Sequence, residues 1–183
     1  MNVTETAIPG LLVIEPAVFG DERGFFTELF HAGKYAEAGV PGPFVQDNLS
    51  RSRRGTLRGL HYQIGRPQGK LVRALSGVVL DVIVDLRRSS PAFGQSATIE
   101  LDADKHTQAY VPEGCAHGFV VLSESADFFY KCTDLYAPEQ ERTLLWNDPA
   151  LGIDWRLGDV GVEPLLSEKD RAGRPLAECE TYA

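Results

Sequence analysis

Between residues 11 and 135 the sequence is cut into short apolar or alternating runs, each closed by glycine, proline or a polar turn. Runs of this length are too short for core helices, and they read as strands at 11–15, 24–30, 45–50, 57–63, 71–76, 78–86, 97–101, 108–111, 118–122 and 128–135. One segment breaks the rhythm. Residues 32–38 read as a short helix, with Gly39 after the last turn as its stop. Many short strands at this spacing predict an all-β sandwich or barrel. The 183 residues suffice for one domain, 1–183, with its own core, and no repeat or linker-like stretch divides them.

Composition removes several classes. No apolar run approaches the roughly 20 residues that span a bilayer, and the opening residues lack the basic segment and apolar core of a signal peptide. Cys115, Cys132 and Cys179 are odd in number and unmatched in spacing, so they form neither a disulfide framework nor a zinc pattern. A soluble, cytoplasmic protein without a membrane role is expected. A net charge of −8 argues against nucleic acid as a partner, because phosphate backbones call for a basic surface. The charge is uneven, however. Residues 48–80 contain no Asp or Glu, yet hold Arg51, Arg53, Arg54, Arg58, Arg66, Lys70 and Arg73, seven of the 18 basic residues. A basic island in an acidic chain suggests a local anion site such as a phosphate pocket, although Arg51, Arg53 and Arg54 equally suit a solvated loop.

Some strands carry polar side chains where a core strand would be apolar. Alternation puts Gln46, Asn48 and Ser50 on one face and Val45 and Leu49 on the other. His61 shares a face with Gln63, and Phe128 shares one with Tyr130, Cys132 and Asp134. These faces look either onto solvent or into a polar cavity of the kind found at barrel mouths.

Of the four histidines, His31 and His106 read as structural. A β-barrel of this size with glycine-bounded histidines resembles the cupins, whose first metal motif has two histidines one residue apart with a glutamate nearby, whereas His61 is followed by Tyr62 and Gln63. His117 keeps only part of the second motif, with Pro112 and Gly114. Two histidines without a carboxylate make a poor metal site, so no metal is expected. His61 lies within the basic island, where only a carboxylate from elsewhere in the fold would keep it basic enough to work. Asp81, Asp85 and Asp170 are the candidates.

The stretches Gln46-Asp47-Asn48-Leu49-Ser50 and Gly55-Thr56-Leu57-Arg58-Gly59-Leu60-His61-Tyr62-Gln63 resemble the signature of dTDP-4-dehydrorhamnose 3,5-epimerases. So do Pro67-Gln68-Gly69-Lys70-Leu71-Val72, the run from Gly77 to Arg87, and Pro112-Glu113-Gly114-Cys115-Ala116-His117-Gly118-Phe119. The likeness continues through Tyr130-Lys131, Asp148-Pro149 and Leu166-Ser167-Glu168-Lys169-Asp170, in unbroken order from residue 10 to residue 170.

The resemblance implies a cupin-like jelly roll, a double-stranded β-helix with short peripheral helices, that assembles as a homodimer and needs no metal or other cofactor. The implied substrate is a dTDP-4-keto-6-deoxyhexose, inverted at carbons 3 and 5. It assigns His61 as base, Asp170 as its partner, Tyr130 as acid and Lys70 as the group near the ketone oxygen. Arg23, Glu28, Gln46, Asn48, Arg58, His117, Glu141 and Lys169 match substrate-binding positions. Spacing alone reads Tyr130 as an ordinary strand tyrosine, Asp170 as a cap in a polar tail and Lys70 as a solvated strand end. Sibling enzymes that invert one carbon or move the keto group share much of this motif set, and a non-catalytic sugar-binding cupin is the rival from another class. One geometric demand follows. Arg58 and His61 are three apart and point to opposite faces of a regular strand, so a shared pocket needs a bulge at Gly59.

Overall fold

The computed structural model describes residues 1–183. The N-terminal part comprises β1 (Asn2–Glu5), β2 (Leu12–Glu15), β3 (Val18–Asp21), β4 (Gly24–Thr27) and helix α1 (Ala32–Glu37). Then come β5 (Gln46–Arg53), β6 (Leu57–Gln63), β7 (Lys70–Ser76), β8 (Val78–Asp85), β9 (Ser96–Asp102) and β10 (Gln108–Val111). The chain closes with β11 (Cys115–Val121), β12 (Ser125–Cys132), β13 (Glu141–Thr143), α2 (Leu157–Val160) and α3 (Glu168–Arg171). No helix is long and apolar enough to cross a membrane.

Two antiparallel sheets face each other as a jelly roll. The six-stranded sheet has the order β1-β2-β10-β7-β12-β5 and the five-stranded sheet the order β13-β6-β11-β8-β9, while β3 and β4 form a separate hairpin. The all-β expectation holds, and β6 and β10 lie where the sequence put them. Other elements differ for physical reasons. β1 and β3 are solvent-exposed strands and β13 is a three-residue polar one, so none carries an apolar rhythm to read. β11 starts at Cys115 rather than Gly118 because every residue in it is buried, which leaves no alternation to mark its onset. The run expected at 24–30 ends at Thr27, and the chain turns toward α1, where the His31 ring accepts the Lys34 backbone N–H as an N-cap at 3.3 Å.

Apolar layers explain why the sheets stay together. Val72, Val79, Phe119 and Phe128 fill part of the space between them. Behind the five-stranded sheet, Leu57, Val82, Val120 and Trp155 pack with Leu144 under the C-terminal segment. That sheet is therefore covered on both faces, which is why β8 and β11 are buried almost throughout. Behind the six-stranded sheet, α1 lays Tyr35 on Leu12, Ile14 and Leu71. The inner faces near β5, β6, β11 and β12 are not filled this way, and a cavity opens between them.

β6 is irregular where it borders that cavity. His61 pairs with His117 and Arg58 with Phe119, so the register shifts by one residue across Gly59 and Leu60. Gly59 has φ +126°, and a Cβ there would sit 2.5 Å from the Gly118 Cα and 2.9 Å from the His117 carbonyl oxygen. Only glycine meets both demands. Gly59→Ala is expected to lower stability by roughly 2–5 kcal/mol, combining backbone strain with overpacking, as read by urea unfolding. A loss within error of zero would mean that the bulge relaxes freely.

Candidate functional site

The cavity has a volume of about 420 Å³, within the usual range for small-ligand sites. β5 contributes Gln46, Asn48 and Ser50, so this polar face looks inward while Val45 and Leu49, on the opposite face, are exposed. β6 contributes Arg58, His61 and Gln63, and β11 contributes His117. Lys70 enters from β7, with Phe128, Tyr130 and Cys132 from β12. Glu141, Lys169 and Asp170 close one side. The bulge at Gly59 thus places Arg58 and His61 in one pocket, although they stand three residues apart.

Two histidine–aspartate pairs stand among these residues. His61 Nε2 lies 2.7 Å from Asp170 Oδ1 without forming an aligned hydrogen bond. Asp170 is itself held by the Gly59 backbone N–H at 3.1 Å and the Ser167 hydroxyl at 2.6 Å, and it completes the capping box that starts α3. It is both a cap and the partner of His61. Burial disfavours its charge, but the His61, Ser167 and Gly59 contacts outweigh that and hold the carboxyl well below the usual carboxylate range. His61 is pushed below its ordinary value, chiefly by burial and partly by Lys169 and Lys70, while Asp170 opposes the shift. At neutral pH it is an unprotonated imidazole beside a carboxylate.

The second pair is His117 Nε2 with Asp81 Oδ1 at 2.7 Å, with the His117 ring stacked against Phe128. Asp85, the third candidate partner for His61, instead binds Arg87 at 2.7 Å and accepts from the Ser90 hydroxyl at 2.6 Å. No group of three His, Cys, Asp or Glu side chains converges in a metal-binding arrangement.

Charge compensation in the cavity is incomplete. Glu141 neutralises Lys169 at 2.7 Å, and Asp170 faces His61. Arg58 bonds only to the Ser52 hydroxyl, at 3.2 and 3.1 Å, and Lys70 forms no ion pair. Burial pushes the Lys70 ammonium below its ordinary value and the Tyr130 hydroxyl above its own. The cavity thus holds an arginine and a lysine without carboxylate partners beside a protonated tyrosine, suited to an anionic ligand that gains further charge as it reacts.

Only part of the basic island serves this cavity. Arg51 pairs with Asp127 at 2.7 Å and Arg66 with Asp134, both at the surface, and Arg73 faces the other side of its sheet. Arg23 and Glu28 do not reach the cavity of their own chain. Arg23 sits in the exposed β3–β4 hairpin against Asp21, and Glu28 binds Lys34 at 2.8 Å. Conversely, Gln68, Tyr136 and Ser167 line the cavity without having been singled out. The Ser-x-x-Asp cap signal at Ser167 was there to find. Tyr136, whose hydroxyl donates to Glu141 at 2.9 Å, lies past the end of β12, where no strand period carries it.

Comparison with known proteins finds matches in both sequence and fold. A family model for dTDP-4-dehydrorhamnose 3,5-epimerase matches residues 5–178. The chain is 57% identical over 183 residues to the dTDP-4-dehydrorhamnose 3,5-epimerase of Pseudomonas aeruginosa, covering 100% of this chain and 99% of that one. It resembles the crystal structure of dTDP-6-deoxy-D-glucose-3,5-epimerase from Legionella pneumophila, in complex with dTDP-4-keto-L-rhamnose, with a TM-score of 0.93, 50% identity and coverage of 98% and 94%. It also resembles ChmJ, a 3'-monoepimerase from Streptomyces bikiniensis in complex with dTDP-quinovose, with a TM-score of 0.87, 36% identity and coverage of 94% and 86%.

Proposed function

The chain belongs to the dTDP-4-dehydrorhamnose 3,5-epimerase family, and from that premise we propose that it inverts carbons 3 and 5 of dTDP-4-dehydro-6-deoxy-D-glucose to give dTDP-4-dehydro-L-rhamnose, with His61 as base and Tyr130 as acid. One observation carries the reading. A carboxylate-backed imidazole on the five-stranded sheet and a protonated tyrosine on the six-stranded sheet line one cavity from opposite walls.

Inversion needs that opposition. Carbons 3 and 5 both neighbour the carbon 4 ketone, so loss of either hydrogen as a proton gives an enolate. With Nε2 turned to Asp170, Nδ1 of His61 takes the proton and the C–H electrons move to the ketone oxygen. Asp170, kept ionised by its contacts, holds the imidazolium. Lys70 stabilises the oxyanion without moving a proton. Tyr130 then protonates the opposite face of the carbon, and solvent exchange restores both groups. The bookkeeping closes with no electron donor or acceptor, and the same pair serves both carbons. Arg58, free of any carboxylate, suits a fork onto the diphosphate. Tyr136, half exposed at the rim, offers a ring face for the pyrimidine base, while Gln46, Asn48, His117, Glu141 and Lys169 supply the remaining polar contacts.

The substrate assignment draws on the Legionella complex with dTDP-4-keto-L-rhamnose. The double inversion draws on the higher identity to the Pseudomonas enzyme than to the monoepimerase. Incubation with dTDP-4-keto-6-deoxyglucose in deuterated water tests both. Two labelled carbons are expected; one identifies a single-carbon epimerase, and none removes the enzymatic reading.

The assembly we propose is a homodimer. Phe19, Phe25 and Phe26 on the β3–β4 hairpin are each more than 60% exposed, an aromatic surface that a lone soluble chain seldom leaves open. β5 is an uncovered sheet edge and carries Gln46 and Asn48 at the cavity. A hairpin laid along that edge by a second copy brings Arg23 and Glu28 to the site they miss in their own chain. Sedimentation equilibrium should give the mass of two chains, and a mass of one would remove this part of the reading. The three free cysteines suit a reducing cytoplasm.

A further inference from the structure

The carboxylate behind His61 sits on a very short element. Helix α3 has four residues, and they supply both Lys169 and Asp170 to the cavity. A helix this short has little stability of its own. The direction of the Asp170 side chain must therefore be fixed by contacts made at the helix start, and Ser167 makes them.

The Ser167 hydroxyl serves twice. Its oxygen accepts the Asp170 backbone N–H at 3.2 Å, and its proton is donated to Asp170 Oδ2 at 2.6 Å. The Ser167 backbone N–H donates to the same Oδ2 at 3.2 Å. Oδ1 is left to the Gly59 backbone N–H, at 3.1 Å, and to His61. The two carboxylate oxygens are thus divided, one turned to the cap and one to the base. A capping box needs only the two backbone N–H bonds. The bond between the side chains is additional and shorter than either, and it joins two residues that both line the cavity.

We propose that Ser167 is a positioning residue for the reaction, its hydroxyl turning Asp170 so that Oδ1 meets His61. The role rests on the reading of His61 as base. It differs from capping alone, because α3 has other anchors. Lys169 is tied to Glu141 at 2.7 Å, and Gly59 holds Oδ1. Removing the hydroxyl should release the carboxylate without undoing the helix.

Ser167→Ala removes the hydroxyl and Ser167→Thr keeps it, with room for the added methyl at an exposed position. Ser167→Ala should lower kcat on the order of tenfold, the worth of one hydrogen bond to a charged group. Affinity for dTDP should stay within a few-fold. Deuterium uptake at carbons 3 and 5 should fall together with inversion, because the loss strikes the base and not the acid. Ser167→Thr should restore most of the turnover. Should the alanine variant fold poorly, Ser167→Gly repeats the measurement with a better cap residue.

Proton NMR titration of the His61 ring, identified by its absence from His61→Ala, needs no substrate. Asp170 opposes the burial, Lys169 and Lys70 that push His61 down. With Asp170 free to turn away, His61 should titrate lower by about half a pH unit or more. Its other neighbours, Glu141 and, across the ladder, His117, are unaltered. A serine that only caps would lower the urea midpoint and leave both kcat and the titration in place, which overturns the proposal. An upward shift of His61, or no rescue by threonine, overturns it as well. If the unaltered protein does not epimerise, the epimerase reading fails, and the titration still decides whether Ser167 aims Asp170 at His61.

Discussion

His61→Ala is expected to cut turnover by a factor on the order of 10³–10⁴, the upper part of the range for a lost general base, while dTDP affinity stays within a few-fold of the unaltered protein. The split follows from placement. His61 is joined to Asp170 deep in the cavity, whereas the groups proposed for the diphosphate and the base are Arg58 and the rim residue Tyr136. The same assignment sets a pH profile. Because burial pushes His61 below its ordinary 6.5, the base is already free at pH 7. His61 should therefore give kcat/KM an acid limb only below about 6.5, and it adds no limb of its own from pH 7 to 9. The limb belongs to the His61–Asp170 pair rather than to either residue. Tyr130, pushed above its ordinary 10, adds no alkaline limb in that range. An acid limb centred above pH 7, or a dTDP affinity lost together with turnover, would move His61 from catalysis to binding.

Tyr130→Phe is expected to separate exchange from inversion. The substitution removes a hydroxyl with almost no change in volume, so the packing against Phe128 should survive. His61 can still take the proton and return it to the face it came from. Solvent deuterium should therefore still enter carbon 3 or carbon 5 with retained configuration, while net epimerisation falls by a factor on the order of 10²–10⁴. Proton NMR in deuterated water follows both quantities in one sample. Joint loss of exchange and inversion would make Tyr130 necessary for enolisation or binding. If neither falls, the hydroxyl is only a wall of the cavity, and the proton comes from another group.

How far the site could be read from the chain depended on the kind of question. The alternation of Gln46, Asn48 and Ser50 was plain, and its two meanings were solvent or cavity. The structure chose the cavity, with the unusual result that Leu49 on β5, and Val45 just before the strand, face outward. The geometric demand for a bulge at Gly59 could be stated from residue spacing alone, because side chains on a strand alternate and Arg58 and His61 break the count. The basic island was also plain, but its division was not. Arg51 and Arg66 meet acidic residues more than 60 positions away, whereas Arg58 and Lys70 meet none.

By itself the sequence determined the all-β class, the short helix stopped at Gly39 and most strand positions, since those follow from side-chain period and turn chemistry over a few neighbouring residues. It also determined the family, through motifs running in order along nearly the whole chain. Residue spacing left Asp81, Asp85 and Asp170 all open as partners of His61, the family resemblance pointed to Asp170, and in the tertiary structure it is Asp170 that stands there. The chosen residue lies 109 positions away, on a helix that caps itself with the same carboxylate. The tertiary structure also keeps Arg23 and Glu28 from the cavity of their own chain, as the family resemblance implied for the N-terminal residues of a dimer, and leaves Arg73 buried without a partner. Local sequence sets which way a side chain points from its strand. What it meets there depends on how two sheets pack across a gap, and that is a property of distant segments brought together by burial.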